Sequence, residues 1–140
     1  MSMALQLLGR AIKQVQYRHH RALDTALAAV GTTLAQWDAL RAIDRQPGAS
    51  THALARATFQ SDQAFGTLAN RLQAQGLIER RPGHGQRIEH HLTPAGTNTL
   101  AAGHPIADEV LRASFAPLSE EERATLLDLL LRIIGESSPS

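Results

Sequence analysis

Between Leu77 and Leu92 the chain leaves the helical period that governs everything around it. Pro82-Gly83-His84-Gly85-Gln86 is a dense turn signal. After it, Ile88, His90 and Leu92 alternate with Arg87, Glu89 and His91. That is strand period, so residues 77–92 read as a β-hairpin with a Gly-rich tip.

The rest of the chain reads as helix. Leu5, Leu8, Ile12, Val15, His19, Ala22, Ala26 and Val30 recur every three or four residues, which predicts a long helix over about 4–30 stopped by Gly31. Thr32 or Thr33 caps a second helix over about 34–46, with Trp37, Leu40 and Ile43 on one face and Pro47-Gly48 at its end. Ser50 caps a short helix over about 51–57, and Thr58-Phe59-Gln60 forms a turn. Ser61 caps a helix over about 62–75, whose buried face is Phe65, Leu68 and Leu72 and whose C-cap is Gly76. Beyond the hairpin, Thr93 caps and Pro94 opens a helix to about 116, with a kink expected at Gly103 and Pro105. Ser119 and Glu122 form a capping box for a last helix to about 134, stopped by Gly135 before a frayed ESSPS tail.

Composition narrows the function classes. The 140 residues suit one domain and contain no cysteine, which excludes a disulfide scaffold, a thiol nucleophile and a cysteine redox switch. No run approaches the ~18 apolar residues of a membrane span, and the amphipathic N-terminus carries no signal-peptide core, so a soluble, cytoplasmic protein is expected. Net charge is +1, unevenly spread: +3 over residues 1–49, +2 over 50–91 and −4 over 92–140. Such segregation suits a chain with one end on a polyanion, and it equally suits an ordinary solvated surface. No nucleophile–base pair or phosphate loop is visible, and the acidic run at 120–122 reads as a charged first helical turn, so no enzyme is expected.

Two short helices, a tight turn and then a hairpin with basic residues follow the order of a winged helix-turn-helix. A helix fits the major groove of B-DNA and presents side chains to base edges. The preceding helix crosses the backbone, and a thin hairpin reaches the adjacent minor groove, where narrow tracts attract Arg.

The sequence resembles the MarR family of transcription regulators. The resemblance is carried by Leu34-Ala35-Gln36-Trp37-Asp38-Ala39-Leu40, by Gly48-Ala49-Ser50 with Leu54-Ala55, and by Asn70-Arg71-Leu72. Gly76-Leu77-Ile78-Glu79-Arg80-Arg81-Pro82 and Leu92-Thr93-Pro94-Ala95-Gly96 follow in the family's order, so it covers about residues 5–134. It implies a mainly α fold with a small β-hairpin wing. A winged-helix lobe spans about 32–92, and helices over about 4–30 and 94–134 form a homodimer. The implied function is a sequence-specific repressor on a pseudo-palindromic double-stranded DNA operator. A dimeric winged-helix module that binds another protein, with little DNA affinity, is the alternative.

On this resemblance Ser61, Asp62, Gln63, Thr67 and Asn70 face the major groove, where Gln and Asn suit bidentate contact to adenine. Ser50, Thr51, Arg56 and Arg71 are phosphate candidates, Arg71 also a brace for the lobe. His84, Gln86 and Arg87 form the wing tip. Two departures stand out: the family's wing Asp-x-Arg reads Gly85-Gln86-Arg87 here, and Gly66 occupies a recognition-helix position where a polar residue is usual.

The family also binds small anionic aromatic effectors, and the matching region holds Tyr17, His20, Arg21, Trp37, Leu40 and Arg41. A ring stacked on Trp37 with its carboxylate near Arg or His is one reading; Trp37 as a plain core residue is the other. His19, on the apolar stripe, reads as a hydrogen-bonded core or interface histidine ahead of a pocket or metal role. Neighbouring pairs such as His19-His20 point apart on a helix, so no metal and no cofactor is expected.

Overall fold

The computed structural model describes residues 2–136, so the end of the ESSPS tail lies outside the described residues. Six helices and one hairpin follow in order. They are α1 (Ser2–Leu27) with a 3₁₀ turn (Ala28–Val30), α2 (Leu34–Arg45), α3 (Thr51–Ala57), α4 (Asp62–Ala74), β1 (Ile78–Pro82), β2 (Ile88–Leu92), α5 (Pro94–Phe115) and α6 (Glu120–Ile134). The fold is mainly α with a hairpin wing.

Side-chain caps set the boundaries. The hydroxyls of Thr33, Ser50, Ser61, Thr93 and Ser119 each accept a backbone N–H three residues on. Each cap satisfies a donor that a helix start otherwise leaves orphaned. Ser119 and Glu122 complete a capping box. The turn from α3 into α4 places Phe59 at φ 59°, an uncommon conformation for a bulky residue.

The core gathers Leu23 and Leu27 of α1, Trp37, Leu40 and Ile43 of α2, Leu54 of α3, Phe65 and Leu72 of α4, Ile78 of β1 and Leu100 of α5. The hairpin pairs Ile78 with Leu92 and Arg80 with His90. Gly48 N–H donates to His90 O at 2.9 Å and His90 N–H to Ala49 O at 3.2 Å, so the α2–α3 loop lies along β2.

Packing adds detail that periodicity could not give, and it corrects one expectation, the buried face of α4. In α1 the residues that enter the protomer core are Leu23 and Leu27, whereas Ala22 is exposed and Ala26 half-buried. The stripe of Leu5, Leu8, Ile12 and Val15 stays 71%, 55%, 44% and 47% exposed. Among the described residues of α1 only Leu23 and Leu27, in its last two turns, are buried. In α5 the helical assignment continues through Gly103 and Pro105, with Pro105 inside the helix. In α4 the buried set is Phe65, Ala69 and Leu72, with Leu68 only half-buried.

Candidate nucleic-acid interface and adjoining cleft

A helix turns about 100° per residue, so burying Phe65, Ala69 and Leu72 turns Gln63, Thr67 and Asn70 to the opposite side. All three are exposed. A Cβ added at Gly66 would meet nothing within 4 Å, so the helix presents a notch between Gln63 and Asn70. Ser61 and Asp62 stand at the start of α4, and the Asp62 carboxylate is held by His52 Nδ1 at 3.0 and 3.1 Å. Ser50 and Thr51 open α3; the Ser50 and Ser61 hydroxyls, used as acceptors by their caps, keep their O–H as a donor. Arg56 and Arg71 are exposed and make no side-chain hydrogen bond among the described residues, so nothing shows Arg71 bracing the lobe.

The wing differs from its sequence reading in one respect. His84 and Gln86 stand exposed at the tip, but Arg87 Nη2 donates back to Gly48 O at 3.1 Å. The position that resembles the family's wing Asp is Gly85 here, and the guanidinium takes an acceptor in the α2–α3 loop.

Two residues that the sequence reading did not assign to the interface bear on this surface. Arg80 of β1 donates Nε–H to Gln73 Oε1 at 2.6 Å and Nη2–H to Asn70 Oδ1 at 2.7 Å. Strand alternation held the signal, because Arg80 shares a face with Ile78, which packs into the core. His90, its cross-strand partner, is fully buried. Its Nδ1–H donates to Ala49 O at 2.9 Å, and its ring stands edge-on to Phe65 with centroids 6.0 Å apart. Burial pushes the His90 imidazole below its usual pKa, and Arg80 and His91 act in the same direction.

A cleft of about 670 Å³ opens between α1, α2, α5 and α6. Of the six residues expected there, His20, Trp37 and Arg41 line it. Tyr17 and Arg21 do not. They lie on the far side of α1, where Arg21 Nη1 donates to the Tyr17 hydroxyl at 3.4 Å. Leu40 is fully buried in the core. The reason is angular: Tyr17 and Arg21 sit about half a turn from Val15 and His19, which face the cleft.

Trp37 is a core residue and cannot serve as an open stacking platform. It is 3% exposed, its Nε1–H donates to Leu100 O at 3.1 Å, and Gly103 presses on the indole. The Arg41 guanidinium lies 5.0 Å from the indole ring and His104 packs on it edge-on at 5.2 Å. Asp38, not among the six residues expected there, also lines the cleft. Burial raises its carboxyl above the usual range, against the opposing pull of Arg41, His20 and Arg45. His19 is hydrogen-bonded to Ser114 Oγ at 2.6 Å and packs edge-on against Phe115. No helix among the described residues is long and apolar enough to cross a membrane.

Comparison with known proteins places this geometry. The model of the MarR family matches residues 30–88. The putative transcriptional regulatory protein for the hcr operon of Thauera aromatica is 34% identical over 113 aligned residues, which cover 77% of this chain and 66% of that protein. Transcriptional regulator HosA of Escherichia coli O111:H- is 30% identical over 105, covering 74% of this chain and 78% of that one. Among solved structures, mutant MarR from E. coli complexed with operator DNA aligns with a TM-score of 0.86 over 93% of this chain and 95% of that one, at 24% identity. At that identity the likeness is one of fold.

Proposed function

The chain belongs to the MarR family of transcription regulators, and from that premise we propose that it binds a pseudo-palindromic operator as a homodimer. We read it as a cytoplasmic repressor that a small aromatic or anionic ligand releases. The lobe over about 32–92 meets DNA, and the helices over about 4–30 and 94–134 hold the dimer. The single observation that carries the DNA reading is the two-sidedness of α4. One side is locked into the core by Phe65, Ala69 and Leu72, and the other offers Gln63, Thr67 and Asn70 to solvent. Its 13 residues make a rod of about 20 Å, a fit to the major groove. The dimer reading is supported by the apolar stripe of α1, whose Leu5, Leu8, Ile12 and Val15 stay 71%, 55%, 44% and 47% exposed within the protomer.

The test is the salt dependence of duplex binding. A dimer that neutralises about eight phosphates gives a log–log slope against salt near −7. A slope near zero contradicts the reading and favours the protein-interaction alternative, to which the turned-back Arg87 lends some support.

The cleft supports the effector reading, in a form altered by the structure. Arg41 supplies the cationic group and His20 a ring nitrogen for hydrogen bonding, while Trp37 forms a wall whose ring Arg41 already meets. An aromatic acid that takes Arg41 changes the surroundings of the indole. Trp37 is the chain's single tryptophan, so its fluorescence reports binding without ambiguity. Titration with benzoate-class acids is expected to shift that fluorescence and lower DNA affinity over one concentration range. Acids that change neither up to the millimolar range would remove the cleft as an effector site.

A further inference from the structure

An amide side chain facing DNA has two ends. Its carbonyl oxygen accepts and its NH₂ donates, and the two ends read different base edges. Which end faces outward is decided by whatever holds the amide from behind. In this protein that is one guanidinium. Arg80 reaches from β1 to two successive turns of α4, giving Nη2–H to Asn70 Oδ1 at 2.7 Å and Nε–H to Gln73 Oε1 at 2.6 Å. A guanidinium has five donors and no acceptor. Only carbonyl oxygens can face it, so both amides are forced to the same orientation, with NH₂ turned away from Arg80.

The guanidinium is itself well founded. Arg80 is half-buried, whereas Asn70 and Gln73 are exposed. Its strand is pinned on one side by Ile78 in the core and across the hairpin by buried His90. Two charge-assisted hydrogen bonds at these lengths are of the strong class. Adenine's major-groove edge asks an amide both to donate to N7 and to accept from N6. An Asn70 whose oxygen is drawn back to Arg80 is poorly placed for that pairing. Its outward NH₂ matches acceptors: guanine O6 and N7, or thymine O4.

We propose that Arg80 is a specificity-determining positioning residue, which turns Asn70 and Gln73 into outward donors so that the C-terminal half of α4 reads an acceptor-rich base, guanine or thymine, in each half-site. The inference rests on the DNA reading above. Arg80 acts through the amides and makes no base contact itself.

The experiment is selection from random duplex DNA with four full-length proteins: wild type, Asn70→Ala, Arg80→Gln and the double variant. Arg80→Lys serves as a fifth that keeps the charge and gives up the two-pronged hold. Wild type is expected to prefer guanine or thymine at one position per half-site. Asn70→Ala and Arg80→Gln should each relax that position by on the order of tenfold. The double variant should relax it no further than either single change. Arg80→Lys should relax it too, because a single ammonium cannot hold both amides. A merely structural Arg80 would lower affinity for all sequences together and lower the melting temperature, leaving base preference intact; that result overturns the proposal. So does a wild-type preference for adenine at the position that Asn70→Ala relaxes. If wild type enriches no sequence at all, the DNA reading fails and the proposal with it.

Discussion

Gly103→Ala is expected to destabilise the protein by about 3 kcal/mol and to lower its melting temperature by about 10 °C. The added Cβ would press into Trp37 Nε1 and stand 2.6 Å from Cδ1 and 2.9 Å from Cε2. An indole ring cannot fold aside as a flexible chain end does. Moving it breaks the Nε1–H bond to Leu100 O and disturbs its packing against His104 and Arg41. Alanine's better helix propensity returns about 1 kcal/mol, which is too little to offset overpacking plus a lost buried hydrogen bond. Thermal melting followed by Trp37 fluorescence checks both halves of the expectation. A variant that melts within 2 °C of wild type, with an unshifted emission maximum, would contradict this account of the α2–α5 contact.

The second large effect is expected at the half-exposed apolar face of α1, where Leu8 and Ile12 also border the cleft. Leu8→Glu combined with Ile12→Glu should leave the protomer folded, because both side chains are about half exposed there. In a dimer held by this face the same two carboxylates would be desolvated without partners, a cost of several kcal/mol each. The variant is expected to elute as a monomer. It should bind a two-half-site operator at least a hundredfold more weakly, since the second half-site is no longer reached as an intramolecular event. Light scattering and operator titration measure the two results. A variant that remains dimeric with wild-type affinity would place the subunit contact elsewhere.

Much of the fold was legible because local chemistry states it. The five side-chain caps fall at Thr33, Ser50, Ser61, Thr93 and Ser119, each one residue before its helix. The Gly-rich turn and strand alternation gave the hairpin. What failed to show in the sequence were properties set by neighbours. The choice of Leu23 and Leu27 over Ala22 and Ala26 depends on where α5 and α2 cross α1, and periodicity alone gives a stripe without its edges.

The site divides in the same way. Gln63, Thr67 and Asn70 follow from the burial pattern of α4. Tyr17 and Arg21 were assigned to the cleft by the family resemblance, although the turn of the helix carries them to its other side. Leu40 lies too deep to meet a ligand, and Asp38 and His104 face the cleft in its place. Arg80 was legible in principle from its strand parity with Ile78. Its grip on Asn70 and Gln73 needed the distance across two elements. Arg87 shows the converse, since its place in the wing was readable and its turn back to Gly48 O was not.

The central claim is that two copies of α4, related by a two-fold axis, read DNA. Its most direct measurement is selection from random duplex DNA by the purified wild-type protein at physiological salt. The account predicts enrichment of a pseudo-palindrome whose half-sites lie about one helical turn apart, near 34–36 Å. A stable dimer that enriches no sequence, or one that enriches a single unpaired half-site, would contradict it.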